Sequence, residues 1–334
     1  MIKDLSKFSF FLFLSLTLVM TSCDDDDDED PQVNPPAGPT QNIAELAVAS
    51  PQFSILVEAL TATGLVDAVA ADGPMTVFAP NNDAFNAFFD QAGLTDDNND
   101  GSRVDEAAAA LGADAISQLL LYHVVGAEIP AAAVTVQTYV STSSTSSPNG
   151  DPLSLLAEPA NNTVLVNGGS GKGATVVAAD IFATNGVIHE IDGVLELPSV
   201  VDHAIFNSNL SALVGAVVAA DLVETLEGFE AITVFAPLNS AFEAIQSTVD
   251  GLTVEQLTSV LTYHVVAAQV RAEDITPGAV ATVNSQEITI AILADDVTVT
   301  VTDVNDGVST VVLTNVQGTN GVVHVIDAVL IPVL

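Results

Sequence analysis

Thr76-Val77-Phe78-Ala79-Pro80-Asn81-Asn82-Asp83-Ala84-Phe85 returns 157 residues later as Thr233-Val234-Phe235-Ala236-Pro237-Leu238-Asn239-Ser240-Ala241-Phe242. Two further blocks follow it both times. Tyr122-His123-Val124-Val125 becomes Tyr263-His264-Val265-Val266, and Asn185-Gly186-Val187-Ile188-His189-Glu190-Ile191 becomes Asn320-Gly321-Val322-Val323-His324-Val325-Ile326. Three blocks in one order mark a duplication. The offset falls from 157 (76 to 233) through 141 (122 to 263) to 135 (185 to 320), so the first copy carries about 16 extra residues after its first block and about 6 after its second. Solenoid units recur every ~20–50 residues. A period near 140 makes each copy a domain with its own core, 41–198 and 199–334, divided near Pro198.

Each block has a physical reading. Thr76 to Phe78 is a short β-branched and aromatic strand stopped by Ala79-Pro80. Asn81, Asn82 or Asp83 can cap a following helix that places Phe85 and Phe88 on one side, and Asn239 or Ser240 can do the same ahead of Phe242 and Ile245. Ile116, Leu119, Leu120 and His123 follow helical spacing, as do Leu257, Val260, Leu261 and His264, so both histidines end an apolar face. Thr253 and Gln256 have capping-box spacing. Val187, His189 and Ile191 alternate onto one face of a strand, repeated by Val322, His324 and Ile326. Stretches 163–166, 174–179, 287–293 and 297–304 read as further strands. Each domain is therefore α+β, helices early and a sheet late.

Of 334 residues 49% are hydrophobic, enough for real cores despite 43 Asp plus Glu against 5 Lys plus Arg and a net charge of −38. The five cations, Lys3, Lys7, Arg103, Lys172 and Arg271, are too scattered to neutralise a phosphate backbone, which excludes nucleic acid and disfavours anionic headgroups. The acidic excess suggests adaptation to a saline medium that screens self-repulsion. With Cys23 as the sole cysteine, neither an intrachain disulfide nor a thiolate zinc cluster can form.

Residues 1–22 read as a signal peptide, with Lys3 and Lys7 ahead of a 13-residue apolar run from Phe8 to Met20. Met20-Thr21-Ser22-Cys23 resembles a bacterial lipobox, although Met20 replaces the usual Leu, and makes Cys23 the expected lipidation site. Residues 23–40 form an acidic, Pro-rich tether in which seven like charges, Asp24 to Asp30, favour an extended, solvated chain. That acidic run resembles a surface-export signal of some Gram-negative lipoproteins, although an Asp directly after the cysteine signals inner-membrane retention in other groups. The expectation is an outer-membrane lipoprotein facing the cell surface, held to the membrane through its N-terminal lipid only, with a periplasm-facing orientation as the alternative.

The ordered blocks resemble the fasciclin domain, present twice and covering nearly everything from about residue 42 to 334. The resemblance implies two domains, each a wedge of small antiparallel β-sheets beside a layer of short helices. It implies adhesion or matrix association through an extracellular protein or glycan ligand, and no catalytic activity. In animal members the Tyr-His motif is linked to integrin binding, which carries over onto Tyr122, His123, Tyr263 and His264 as candidate binding residues. Their place on apolar helical faces favours a structural role. A non-catalytic structural or accessory role in the envelope is the alternative function.

Sharper chemistries fare less well. Gly168 to Gly173 faintly matches a phosphate loop but has Val166 and Gly173 at two defining positions, so a hairpin turn is expected. His123 and His189 make at most two metal ligands per domain, and buried histidines bonded to backbone are the better reading. Serines occur without a nucleophile elbow. The remaining cofactor reading is calcium: Asp96, Asn98 and Asp100, followed by Gly101, open like a calcium loop, but its closing position is Ala107.

Overall fold

A computed structural model describes residues 38–95, 102–293 and 298–334. The first copy runs through helices α1 (Ile43–Ala49), α2 (Ser54–Ala62) and α3 (Val66–Ala70), strand β1 (Met75–Pro80), helices α4 (Asn82–Gln91), α5 (Val104–Leu111) and α6 (Ala113–Tyr122), then strands β2 (Val124–Val125), β3 (Thr138–Ser141), β4 (Ser154–Ala160), β5 (Thr163–Val166), β6 (Ala174–Ala183) and β7 (Gly186–Ile191). The second repeats that order with α7 (Val200–Phe206), α8 (Ser211–Ala219), α9 (Val223–Glu227), β8 (Ile232–Pro237), α10 (Asn239–Ala244), α11 (Gln246–Val249), α12 (Val254–Tyr263), β9 (Val265–Val266), β10 (Gly278–Ala281), β11 (Glu287–Ile292), β12 (Val299–Thr302), β13 (Val308–Gly318) and β14 (Gly321–Ile326).

Local chemistry sets the helix starts. Asn42 and Glu45 form a reciprocal capping box at α1, and Ser199 and Asp202 form its counterpart at α7. Thr253 and Gln256 exchange both expected bonds at α12. Asn81 caps α4 by accepting from the Ala84 N–H. The second copy departs from expectation: Leu238 occupies the cap position of α10 without a side-chain bond. Asn239 instead accepts from the Ala212 N–H and donates to the Ser208 carbonyl, tying α10 to the start of α8, as Asn82 ties α4 to Ile55 and Pro51. On α4 the fully buried pair is Phe85 and Phe89, one turn apart, with Phe88 partly buried beside them.

Among the described residues each copy forms a seven-stranded sheet, ordered β2-β1-β7-β6-β5-β4-β3 and β10-β11-β12-β13-β14-β8-β9. The expected antiparallel pairing holds except at one junction in each sheet, between the second and third strands from one end of the order, where β1 runs parallel to β7 and β8 to β14, with Phe78 opposite His189 and Phe235 opposite His324. A parallel pair needs a crossover, and everything between the first and third sequence blocks serves as one. The first sheet curls until its edges meet, Val125 bridging to Thr142, which leaves little open edge. Gly186 and Gly321 adopt φ of 150° and 153° beside the parallel strand, where a Cβ would lie 1.9 Å from the Met75 carbonyl oxygen or 2.1 Å from that of Ile232.

Strands β7 and β14 are covered on both faces, which explains their near-continuous apolar sequence. On one face of β7, Ile188 joins Phe53, Leu56, Phe85, Phe89, Ile116 and Leu120 under the helices. On the other, Ile191 joins Phe78, Tyr122, Leu153, Leu155 and Val166 inside the curled sheet. Each copy therefore has two small cores, the second copy repeating them around Val323 and Ile326.

Residues 39–334 form one compact unit. At the seam between copies the Ser154 hydroxyl on β4 accepts from the Gln317 N–H on β13 at 2.9 Å. Tyr139 sets its ring edge-on to His203 at 5.8 Å. Lys172 pairs with Asp202 at 2.8 Å and Arg271 with Asp151 at 2.6 Å, while Gln269 reaches the other Asp151 oxygen. Gly168 to Gly173 joins β5 to β6 as a hairpin connection, as expected, and carries Lys172 to the seam.

Candidate functional site

The recurring Tyr-His pair sits where a helix hands over to a two-residue strand, α6 to β2 and α12 to β9. His123 Nδ1–H donates to the Leu119 carbonyl one turn back at 2.8 Å, and Nε2 accepts from the Leu195 N–H at 2.9 Å. His264 does the same with Val260 and Leu330, at 2.8 and 2.9 Å. One neutral tautomer satisfies both contacts. Burial pushes each imidazole down to about 4, so both stay uncharged at neutral pH. Each ring clips the chain after the last strand of its copy, at Leu195 or Leu330, onto the end of α6 or α12.

The tyrosines point into the curled sheet. Tyr122 Oη donates to the Ser154 carbonyl and accepts from Asn167, and burial pushes its phenol up. Tyr263 Oη donates to the Glu287 carbonyl and accepts from the Val304 N–H. All four residues nominated from the motif, Tyr122, His123, Tyr263 and His264, are at most 2% exposed. Buried and engaged by these bonds, the four residues hold the core together.

His189 and His324 use the opposite tautomer. Their Nε2–H donates to the Ile129 or Val270 carbonyl and Nδ1 accepts from the Asp180 or Asn315 N–H. Both nitrogens of His123 and His189 are thus engaged by backbone, leaving neither free to ligate a metal, and no group of three metal-ligating side chains occurs among the described residues. Asp96, Asn98 and Asp100 lie outside the described residues, as does Cys23.

Two residues quoted in the motif but given no role from sequence prove central. Asn185 accepts from the Ile43 N–H and donates to the Val69 and Ala71 carbonyls, fastening α1 and α3 to the start of β7. Asn320 repeats this with Val200 and Leu226. Their recurrence before a glycine in both copies was the available signal. The family model described as the fasciclin domain matches residues 51–198 and 208–332. The chain belongs to the fasciclin domain family.

Relatives include Protein sll1483 of Synechocystis, 38% identical over 139 residues, covering 40% of this chain and 73% of that protein. Uncharacterized protein sll1735 of the same organism is 36% identical over 154 residues, covering 46% and 96%. Human periostin is 32% identical over 165 residues, 48% of this chain and 19% of periostin. Among solved structures, the FAS1 domain pair of the insect cell adhesion molecule fasciclin I aligns over 83% of this chain and 95% of its own, with 17% identity and a TM-score of 0.48. Fasciclin domains occur in adhesion and binding proteins, and the family is typically non-catalytic. In this chain the recurring motif residues Tyr122, His123, Asn185 and His189, and their counterparts Tyr263, His264, Asn320 and His324, all make internal bonds.

Proposed function

We propose that this protein is a surface-anchored lipoprotein, tethered through Cys23 and an acidic linker, that presents two fasciclin domains to an extracellular protein or glycan. The observation that carries this reading is the joining of two family domains into one compact unit behind a lipobox-like sequence. A seam held by ion pairs and backbone bonds fixes the spacing of two outer faces, which suits a module that bridges or displays. Among the described residues no single helix is long and apolar enough to cross a membrane, so on this reading the lipid at Cys23 is the attachment. Proteinase K treatment of intact cells tests it: the tandem disappears from immunoblots when it faces outward, and Cys23→Ser moves it from the membrane to the soluble fraction. Full protection until the outer membrane is opened would replace this reading with a periplasm-facing accessory role.

A further inference from the structure

Helix α8 reads Ser-Ala-Leu-Val-Gly-Ala-Val-Val-Ala and is apolar on every side, a composition that calls for cover on every side. Its inner residues Leu213 and Val217 are buried, but Val218 is 61% exposed and Ile205, on neighbouring α7, is 56% exposed. Between them runs a cleft walled by aliphatic side chains of α7, α8, α9 and α12, including Val214, Leu222, Val223 and Leu261. The polar groups in its lining are Thr262, which bonds back to its own helix, and His264, whose nitrogens are both engaged.

The first copy serves as an internal control. At the places of Gly215, Val218 and Ala220 it carries Glu58, Thr61 and Thr63, at the place of Ile205 it carries Val48, also exposed, and its corresponding cleft is lined partly by Asp72 and Ser143. The fasciclin fold therefore does not require an apolar residue at the place of Val218, although both copies carry an exposed aliphatic one at the place of Ile205. What sets the second copy apart is that its two exposed aliphatic residues, Ile205 and Val218, both line one continuous aliphatic cleft, whereas Val48 and Thr61 do not line the first copy's.

Size and charge narrow the occupant. The cleft encloses about 50 Å³, enough for an aliphatic side-chain tip and far short of a pocket that engulfs a small molecule. Residues 199–334 hold 16 acidic residues and one basic residue, Arg271, which is already paired. Asp221, Glu224 and Glu227 lie exposed beside the lining residues Leu222, Val223 and Leu226. A second copy of this −38 chain or an anionic lipid surface would be repelled. We propose that this face of the second fasciclin domain docks an amphipathic helix of another protein, with aliphatic residues facing the cleft and Lys or Arg along its flanks.

This inference rests on reading the chain as a binding module, and its test on purified full-length protein does not depend on which side of the membrane the chain faces. The probe is a synthetic Leu/Lys amphipathic helix of about five turns, titrated calorimetrically at about 150 mM salt, where long-range attraction is screened. Saturable binding is expected, weakened at least about tenfold by Val218→Glu although that change adds attractive charge, and equally by the milder Ile205→Gln. Thr61→Glu, the same charge change on the first copy, should leave affinity within about twofold. A Leu/Glu helix should not bind. Equal affinity for the wild type and both second-copy variants overturns the proposal in favour of charge alone, and weakening by Thr61→Glu equal to that by Val218→Glu overturns it by showing that the loss is not specific to the second-copy cleft. A concentration-dependent dimer in sedimentation equilibrium, abolished by Val218→Glu, overturns it in favour of self-association.

Discussion

Asn185 and Asn320 each use one amide to join a helix layer to a sheet. Asn185→Ala strands the Ile43 N–H and two carbonyls, so a loss of about 2–4 kcal/mol in urea unfolding is expected, with Asn320→Ala nearly equal. An effect below about 0.5 kcal/mol would mean that water replaces the bonds. The histidines make a pH-dependent contribution. Their folded values near 4 lie below the ordinary 6.5, so the unfolded chain takes up protons first as pH falls. The stability they provide is full above about 6.5, is lost as pH falls toward 4, and amounts to at most about 3 kcal/mol per residue. His264→Gln should lower stability at pH 7 and flatten the fall between those limits relative to wild type, a comparison that cancels the relief of acidic self-repulsion. An unchanged slope would show that the ring is not protonated on unfolding in this window. Sequence spacing already placed both histidines at the end of an apolar helical face, because helical period fixes burial. It could not show the two backbone partners, which come from residues 72 and 66 positions away along the chain.

At the scale of elements, the strands and helices that the three blocks predict are present, since alternation and capping chemistry are local. Strand β4 escaped notice because Ser-Leu-Leu-Ala-Glu-Pro-Ala neither alternates nor avoids proline. Its first four residues are buried on both faces, and Pro159 lies beyond the reach of the β3 pairing, which ends at Ala157. The parallel direction of β1 and β7 was equally illegible, because a period of two identifies a strand and says nothing of its neighbour. Two substitutions separate local from tertiary roles. Thr253→Ala removes only a cap and should cost about 1 kcal/mol. Phe89→Ala, which opens the core under the helices of the first copy, should cost about 3–5 kcal/mol. Chemical denaturation that ranked them in the opposite order would contradict the assignment of Phe89 as the inner residue of α4.

Over the whole molecule, the placement of cations stands out against the acidic background. Of the three basic residues in 38–334, Lys172 and Arg271 both reach across the seam, and Arg103 pairs with Asp90 within the first copy. Each cross-seam pair is partly buried and worth about 1–2 kcal/mol. A single calorimetric transition is expected for the tandem, splitting into two when Lys172 and Arg271 are both replaced by Ala. Two transitions already in the wild type would show that the copies unfold independently. The duplication and its order of blocks were plain in the sequence, but the seam was not, because nothing local tells Lys172 that its partner is Asp202.

The chain contains three tyrosines and no tryptophan, and the fold distributes them one to each place of interest. Tyr122 lies in the first curled sheet, Tyr263 in the second, and Tyr139 against His203 where the copies meet. The protein thus carries its own optical labels. Its ultraviolet emission is the sum of three phenols in three settings, and single Tyr→Phe changes would subtract them one by one, so the opening of the seam could be timed apart from the melting of either core without attaching a dye.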